Sequence, residues 1–202
     1  VRVVRAGDVI PEISGLAEKK KKRGSSFEMP RKCPVCGTKV TREGAYSICP
    51  AGLSCRAQLI GRIQHFSSRN AMNIDELGGK TVEQLVKKGF IKKLPDLYRL
   101  KPVTLEKLEG YAKKSAKQLY DSIQGSKETE LHRYLYALGI RHVGEHIARI
   151  LAREYNSPEE IKKAGYDELL SINEIGPEIA ESISHFFSAK ENRKMLDELD
   201  DL

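Results

Sequence analysis

One pattern of apolar and small residues recurs four times in the C-terminal two thirds of the chain. In each copy three apolar positions stand three residues apart, a glycine position follows the third, and a small and an apolar residue lie four and seven positions later. The copies are Ala71, Ile74, Leu77, Gly78, Val82, Leu85; Leu105, Leu108, Tyr111, Ala112, Ala116, Leu119; Ala137, Ile140, Val143, Gly144, Ala148, Leu151; and Leu169, Ile172, Ile175, Gly176, Ala180, Ile183. Because the glycine positions are 34, 32 and 32 residues apart, we interpret the pattern as an internal repeat.

Each copy predicts a helix, a sharp hairpin and a second helix. In this interpretation the first apolar pair belongs to the first helix, the glycine provides a positive φ or close approach, and the small residue lets the helices pack tightly. Tetratricopeptide and ankyrin repeats have similar lengths, but their signature motifs are missing. We therefore predict four helix-hairpin-helix motifs, with a protein-binding helical repeat as the alternative.

The chain before the repeats predicts a short β-segment, a basic linker and the start of the α-helical part. Residues 1–13 indicate a strand, a turn at Ala6-Gly7-Asp8 and a second strand, too little to close a sheet. The run Lys19–Arg23 predicts a solvated linker. Apolar residues after Cys55 predict helix, with one face formed by Ala57, Ile60, Ile63 and Phe66. The chain begins at Val1 without Met, so we expect a piece of a longer polypeptide.

Four cysteines form a candidate metal site. They are arranged as Cys33-x2-Cys36, twelve residues, and Cys49-x5-Cys55. In a reducing cytosol paired cysteines favour a metal over disulfides, and four thiolates suit a closed, structural, tetrahedral zinc site. The five-residue gap is wider than usual. A redox Cys-x2-Cys motif and four unrelated buried thiols are the alternatives.

The charge distribution points to a polyanionic partner. The net charge is +7, and residues 1–70 hold 14 Lys and Arg against 5 Asp and Glu, whereas residues 71–202 hold 21 against 23. No membrane span or secretory signal is recognisable, so we expect a cytosolic protein.

The hairpins predict phosphate binding, because a turn that leads into a helix N-terminus presents backbone N–H groups at the positive end of the helix dipole. Nearby cations would add attraction without reading sequence. The predicted DNA-binding residues are Gly78, Gly79, Lys80, Gly110, Lys113, Lys114, Gly144, His146, Arg149 and Gly176. Two copies depart from the pattern: Ala112 replaces a glycine, and Pro177 and Glu178 follow Gly176. We expect the first three hairpins to bind DNA better than the fourth.

No motif for covalent chemistry is found. Lys-x-Asp-Gly, Gly-x-Gly-x-x-Gly, Walker and His-Glu-x-x-His patterns are all missing from the sequence. The five histidines are scattered along helical stretches. We therefore predict that this chain catalyses nothing alone and has no catalytic residues.

The order of the motifs closely resembles the C-terminal half of bacterial NAD-dependent DNA ligases. The resemblance rests on Arg5-Ala-Gly-Asp-Val-Ile-Pro11, Cys33-Pro-Val-Cys36-Gly, Cys49 to Cys55-Arg-Ala-Gln58, and Tyr136-Ala-Leu-Gly-Ile-Arg-His-Val-Gly144. It implies a mainly α chain with three parts: the end of an OB-fold and a basic linker (1–26), a four-cysteine zinc finger and the following helix (27–70), and a domain of four helix-hairpin-helix motifs (71–202). It also implies one structural zinc on Cys33, Cys36, Cys49 and Cys55.

The resemblance implies further that this half clamps nicked double-stranded DNA on its minor-groove side, in replication and repair. NAD would be used only by the absent catalytic half, which adenylates a lysine, passes AMP to the 5′-phosphate and releases it when the 3′-hydroxyl attacks. The implied partners are DNA and the adenylation and OB domains of the same enzyme. The protein is expected to be monomeric, without membrane contact, in the bacterial cytoplasm near the nucleoid.

Two other functions stay open at this stage. A helical-repeat protein-interaction module with a structural zinc finger would not bind DNA. A zinc-dependent redox module would have reactive thiols and lose its metal on mild oxidation.

Overall fold

The computed structural model describes residues 1–7, 10–17 and 27–202. Strands β1 (Arg2–Ala6) and β2 (Ile10–Gly15) form an antiparallel pair in which Val3 lies opposite Ile13. The two predicted strands are confirmed, while Asp8 of the predicted turn lies outside the described residues. The predicted linker Lys19–Arg23 lies outside the described residues.

A second small hairpin lies in the cysteine segment. Strands β3 (Thr41–Glu43) and β4 (Tyr46–Ile48) pair antiparallel, and an isolated bridge joins Lys32 to Lys39. A 3-10 helix at Gly52–Ser54 then leads into the first α-helix. Short strands and turns thus surround the cysteines.

All regular structure described after β4 is helical, which confirms the mainly α prediction. The helices are α1 (Arg56–Ser67), α2 (Gly79–Lys87), a 3-10 helix (Leu94–Arg99), α3 (Pro102–Leu105), α4 (Lys113–Gly125), α5 (Leu131–Ala137), α6 (Glu145–Glu154), α7 (Pro158–Lys163), α8 (Tyr166–Ser171), α9 (Pro177–Ser188) and α10 (Lys190–Asp200). Among the helices that the structure describes, none has the length and apolar character needed to cross a membrane.

The four hairpins connect helices that pack against each other. They join α1 to α2, α3 to α4, α5 to α6, and α8 to α9. The repeat pattern begins at the end of the first helix rather than along it: Ala137 is the last residue of α5 and Ile140 lies in the hairpin, while Ala71 follows α1 in a turn. The prediction that the first apolar pair lies on the first helix is therefore wrong in detail.

The apolar positions of the repeat form the core. The small position is fully buried in every copy, at Val82, Ala116, Ala148 and Ala180, and so is the last apolar position. Only Tyr111 and Ile172 among the repeat's apolar residues are half-buried. Small buried side chains let the two helices of a hairpin approach closely, which explains the recurrence of the pattern.

Helix α1 belongs to this same core, and part of the predicted face is confirmed. Ile63 and Phe66 are buried and Ile60 packs half-buried against the core, but Leu59 is also buried and Ala57 is exposed. Intervals of four and three keep side chains on one face, but nine residues from Ala57 to Phe66 turn the helix by about 180° beyond two full turns. Residues at a strict interval of three therefore do not stay on one face of the helix.

The hairpins are joined in two pairs. In the first pair, the Tyr111 hydroxyl lies 3.0 Å from the Thr81 hydroxyl and donates to the Glu76 carbonyl at 3.1 Å. In the second pair, His146 Nε2 lies 2.7 Å from a carboxylate oxygen of Glu174. The fold therefore consists of two similar units, each made of two consecutive hairpins.

Candidate metal centre and nucleic-acid interface

The four cysteine sulfurs lie together in one cluster. All four are within 4.8 Å of one another, with Cys33 and Cys55 at 3.9 Å and Cys36 and Cys49 at 3.5 Å. Four thiolates about 2.3 Å from a central zinc would be about 3.8 Å apart. The sulfurs are therefore placed to bind a metal, and the alternative of four unrelated thiols is wrong.

The backbone around Cys33 builds a tight loop for the first two ligands. The Cys33 amide donates to the Thr38 carbonyl at 2.8 Å, and the Gly37 amide donates to the Cys33 carbonyl at 2.9 Å. Gly37 has a φ of +75°, a left-handed conformation that favours glycine. This loop brings Cys36 back toward Cys33.

The wider second spacing is bridged by a short helical turn. Gly52 has a φ of +51° and starts the 3-10 helix, after which the Cys55 amide donates to the Gly52 carbonyl at 3.0 Å. Cys55 is only 1% exposed and caps the N-terminus of α1, as predicted from the sequence.

Two of the cysteine thiols, Cys36 and Cys49, differ in their pKa. Hydrogen bonds with the side chain and the amide of Thr38 lower the pKa of Cys36 to about 6. At Cys49 the bond from the Ala51 amide lowers the pKa, but desolvation and the neighbouring thiols Cys36 and Cys33 raise it, and the net pKa is about 11. A cation is needed to hold all four sulfurs as thiolates at neutral pH, because like charges so close together repel.

The predicted phosphate sites lie at exposed helix N-termini. Gly78, Ala112, Gly144 and Gly176 are the N-cap residues of α2, α4, α6 and α9, and none of the four caps its helix with a side chain. Within the described part of the chain, the amides of Gly79, Lys80 and Thr81 donate no hydrogen bond, and the first to do so is that of Val82, to the Gly78 carbonyl. Such amides are available to an anion.

The positive φ lies two residues earlier than predicted. Gly78, Gly144 and Gly176 have φ of −70°, −81° and −82°, so the expectation of a positive φ there is wrong. In all four hairpins the left-handed residue stands two positions before the N-cap. These residues are Glu76, Gly110, His142 and Glu174, with φ of 66°, 84°, 64° and 69°. Ala112 is therefore unstrained, since alanine readily adopts its extended backbone.

The N-cap glycines face open space. A Cβ atom added at Gly78, Gly144 or Gly176 would meet nothing within 4 Å. Neither backbone conformation nor packing within the described structure requires glycine at these places. Glycine instead leaves space in which a molecule outside the chain can approach the backbone.

The predicted cations differ in their surroundings. Gly79, Lys80, Gly110, Lys113 and Lys114 are exposed at the first two hairpins. Among the described residues, none of these lysines takes part in an ion pair, so they are available to a polyanion.

Acidic neighbours accompany the cations of the other two hairpins. His146 pairs with Glu174, and Arg149 lies 3.8 Å from Glu145. In the fourth hairpin Pro177 and Glu178 occupy the first two helical positions, equivalent to Gly79 and Lys80 in the first. Sequence reasoning missed both acids. Glu145 stands four residues before Arg149 on the same helix, a local spacing that the sequence displays, whereas Glu174 meets His146 only through the fold.

Comparison with known proteins agrees with this division into pairs. Residues 68–124, which hold the first two hairpins, match the family described as a SAM-like helix-hairpin-helix tandem. Residues 133–196, which hold the last two, match the family described as a helix-hairpin-helix motif.

Whole-chain relatives are DNA ligases. A protein named DNA ligase from Syntrophobacter fumaroxidans is 44% identical over 202 residues, and proteins of the same name from Legionella pneumophila strains Corby and Philadelphia 1 are 45% identical. In each case the match covers 98% of this chain and 30% of the relative. The resemblance inferred from the cysteine and hairpin motifs is confirmed: the chain is homologous to a segment of DNA ligase.

Proposed function

We propose that the chain binds duplex DNA without sequence preference and forms the DNA-clamping part of an NAD-dependent DNA ligase. The observation that carries the proposal is the open, glycine-lined approach to exposed helix N-termini at Gly78 and Gly144. A phosphate fits there because it accepts hydrogen bonds from amides and is attracted by the helix dipole. Contacts of this kind fix position on the backbone and leave the bases unread.

The distribution of charged residues supports the first three hairpins as the main contacts with DNA. The first two combine exposed amides with exposed lysines, and the third combines amides with His146 and Arg149. The fourth lacks one amide donor at Pro177 and places a carboxylate at Glu178, which repels phosphate. We expect its contribution to affinity to be the smallest.

Binding titrations at several salt concentrations test the proposal. Three to five phosphate contacts predict a slope of log K against log salt of about −3 to −4.5 for duplex DNA. Nicked duplexes of unrelated sequence should bind with equal affinity, and so should intact duplexes of unrelated sequence. A flat salt dependence would remove phosphate contacts and favour the protein-interaction alternative.

Gly144→Val tests the amide site itself, and Gly165→Val is its matched control. Both glycines are N-cap residues with extended backbone and open space around the added side chain, so the two variants should fold equally well. Only Gly144 opens the second helix of a hairpin. Weaker DNA binding by about tenfold in Gly144→Val alone supports the site, and equal affinities would exclude it.

We propose zinc as the metal, because four cysteine sulfurs within 4.8 Å of one another suit a tetrahedral, structural zinc site with no open position. Zinc would supply folding free energy to a segment with little apolar core. Cys49→Ser should abolish binding of one zinc per chain, measured by metal analysis, while the exposed change Ser47→Ala should not. Retention of one zinc in Cys49→Ser would exclude Cys49 as a ligand.

The covalent chemistry is assigned by this proposal to the rest of the ligase, since the adenylation motif is missing from the sequence. Nick sealing by a matching adenylation and OB fragment should improve when this chain is added in trans. We expect this activity on chromosomal DNA in the bacterial cytoplasm. No change in sealing would contradict the clamping role.

A further inference from the structure

Three polar residues form a line along α1, the helix that follows the metal cluster. Gln58, Arg62 and His65 are spaced by four and three residues and therefore lie on one face. We name them the α1 polar stripe. Together with Gly139, Ile140 and Val143 they line an open cavity of about 460 Å³ beside the third hairpin.

The far end of the stripe binds the backbone that enters the third hairpin. The Arg62 guanidinium donates to the Leu138 carbonyl, and His65 Nε2 lies 2.8 Å from the Tyr136 carbonyl. These carbonyls belong to the last turn of α5, where four acceptors lack partners within the helix and the dipole is negative. A cation at that end is therefore well placed.

Gly139 permits this contact. It has a φ of +62°, and a Cβ atom there would come within 3.3 Å of both Arg62 Nη1 and His65 Cδ2. Burial lowers the pKa of Arg62, and no acidic side chain pairs with it among the described residues. The backbone carbonyl of the hairpin is thus its partner.

The near end of the stripe is fixed to the cysteine cluster. The Gln58 side chain donates to the Cys49 carbonyl at 2.7 Å, and the Leu59 amide donates to the Cys55 carbonyl at 3.0 Å. A single rigid helix therefore spans the distance from two candidate ligands to the hairpin that ends at Gly144.

We propose that Arg62 is a positioning residue that couples the metal site to the third hairpin's phosphate site. The inference rests on the proposed DNA-binding function. Metal binding fixes the N-terminus of α1, α1 fixes Arg62, and Arg62 holds Leu138, six residues before the N-cap at Gly144. Loss of the metal then weakens DNA binding by displacing this hairpin, beyond any loss of contacts made by the finger itself.

The coupling should be strongest at the third hairpin, because the side chains of Arg62 and His65 contact backbone carbonyls at the end of α5. The first hairpin cannot serve as a reference, since α1 is its own first helix and Asn70 donates to Glu145 at the start of α6. The amides of Gly110 to Lys114 in the second hairpin therefore serve as an internal reference for the amides of Ile140 to His146.

Amide NMR spectra of the full chain, without DNA, provide the decisive test. Arg62→Met should shift the amide resonances of Ile140 to His146, leave those of Gly110 to Lys114 in place, and retain one metal per chain. Arg62→Lys should restore part of the wild-type spectrum. The matched control Arg153→Met removes an exposed arginine from α6 and should shift only its own neighbours.

Removing the metal with a chelator, from the wild type and from Arg62→Met, tests the coupling. Removing the metal should shift the third-hairpin amides in the wild type in the same direction as Arg62→Met, and cause little further change in the variant. Duplex affinity should fall by about tenfold in either case, without the two effects adding. Unchanged hairpin amides in Arg62→Met, or additive effects, would overturn the proposal. If the wild type binds no duplex while the spectra behave as expected, the DNA-binding proposal alone fails.

Discussion

The two hairpin pairs share a backbone and differ in the side chains at their helix starts. Each has left-handed residues two positions before its N-caps and small buried residues four positions after them. Yet the second helical position holds lysine in both hairpins of the first pair, at 80 and 114, and His146 and Glu178 in the second. The repeated apolar pattern thus determines the shape of a hairpin, whereas the charge at the second helical position differs between the pairs.

The pairs also differ in how their hairpins are joined. Half-buried Tyr111 joins the first pair through hydroxyl hydrogen bonds, while His146 and Glu174, both exposed, join the second through a hydrogen bond. Water competes more strongly for exposed donors and acceptors than for partly buried ones. The same architecture is therefore held in one pair by a partly buried link and in the other by an exposed one.

The largest expected effect tests whether the pairs are equivalent in their cores. Leu119 and Leu151 occupy the same repeat position and are fully buried. Each Leu→Ala change should lower the free energy of unfolding by about 2–5 kcal/mol, through lost burial and the cavity left behind. Urea unfolding followed by circular dichroism measures this. Two separate transitions in one variant would show that the pairs unfold independently.

Changing the charges at Lys114 and Glu178 should make the two pairs more alike in their contribution to duplex affinity. Lys114→Glu should weaken duplex binding by about tenfold and reduce the salt slope by about 1, because a phosphate contact is lost. Glu178→Lys should strengthen binding and steepen the slope. Both effects are read from titrations at several salt concentrations, and equal slopes for wild type and both variants would contradict the assignment of these positions to the interface.

Substitutions at the left-handed position should change protein stability in opposite directions in the two hairpins of the first pair. Gly110→Ala should destabilise the protein by about 1 kcal/mol, because its φ of 84° is unfavourable for a side chain. Glu76→Gly should stabilise it by about 0.5–1 kcal/mol for the same reason. Thermal and urea unfolding measure both changes, and destabilisation by Glu76→Gly would indicate an additional role for that carboxylate.

The smallest expected effects distinguish the two links. Tyr111→Phe should cost about 1 kcal/mol of stability, since it removes hydroxyl hydrogen bonds. Glu174→Gln should cost about 0.5 kcal/mol or less, because both residues of its link face water. Urea unfolding curves of the two variants and the wild type separate these outcomes, and equal costs would contradict the difference between the links.

Much of the site was predictable because it depends on residue type and spacing. The Cys33-x2-Cys36 loop and the cap at Cys55 follow from local sequence, and the structure brings all four sulfurs together. The position of the left-handed residue was not predictable from glycine alone, because Glu76, His142 and Glu174 adopt it in three of the four hairpins. The residue that follows each of them, Leu77, Val143 or Ile175, is buried in the core, so packing around the hairpin and not residue type sets this backbone conformation.

The sequence alone determined the number of hairpins, the metal-binding cluster and the small buried residues, because periodicity and ligand spacing are properties of local chain geometry. Tertiary structure decided which side of α1 is buried, which acid faces His146, and that Arg62 meets the carbonyl of Leu138. Arg62 and Leu138 are 76 residues apart in the chain, and only packing of α1 against α5 brings them into contact. Contacts between distant segments depend on how all helices share one core, which no local pattern encodes.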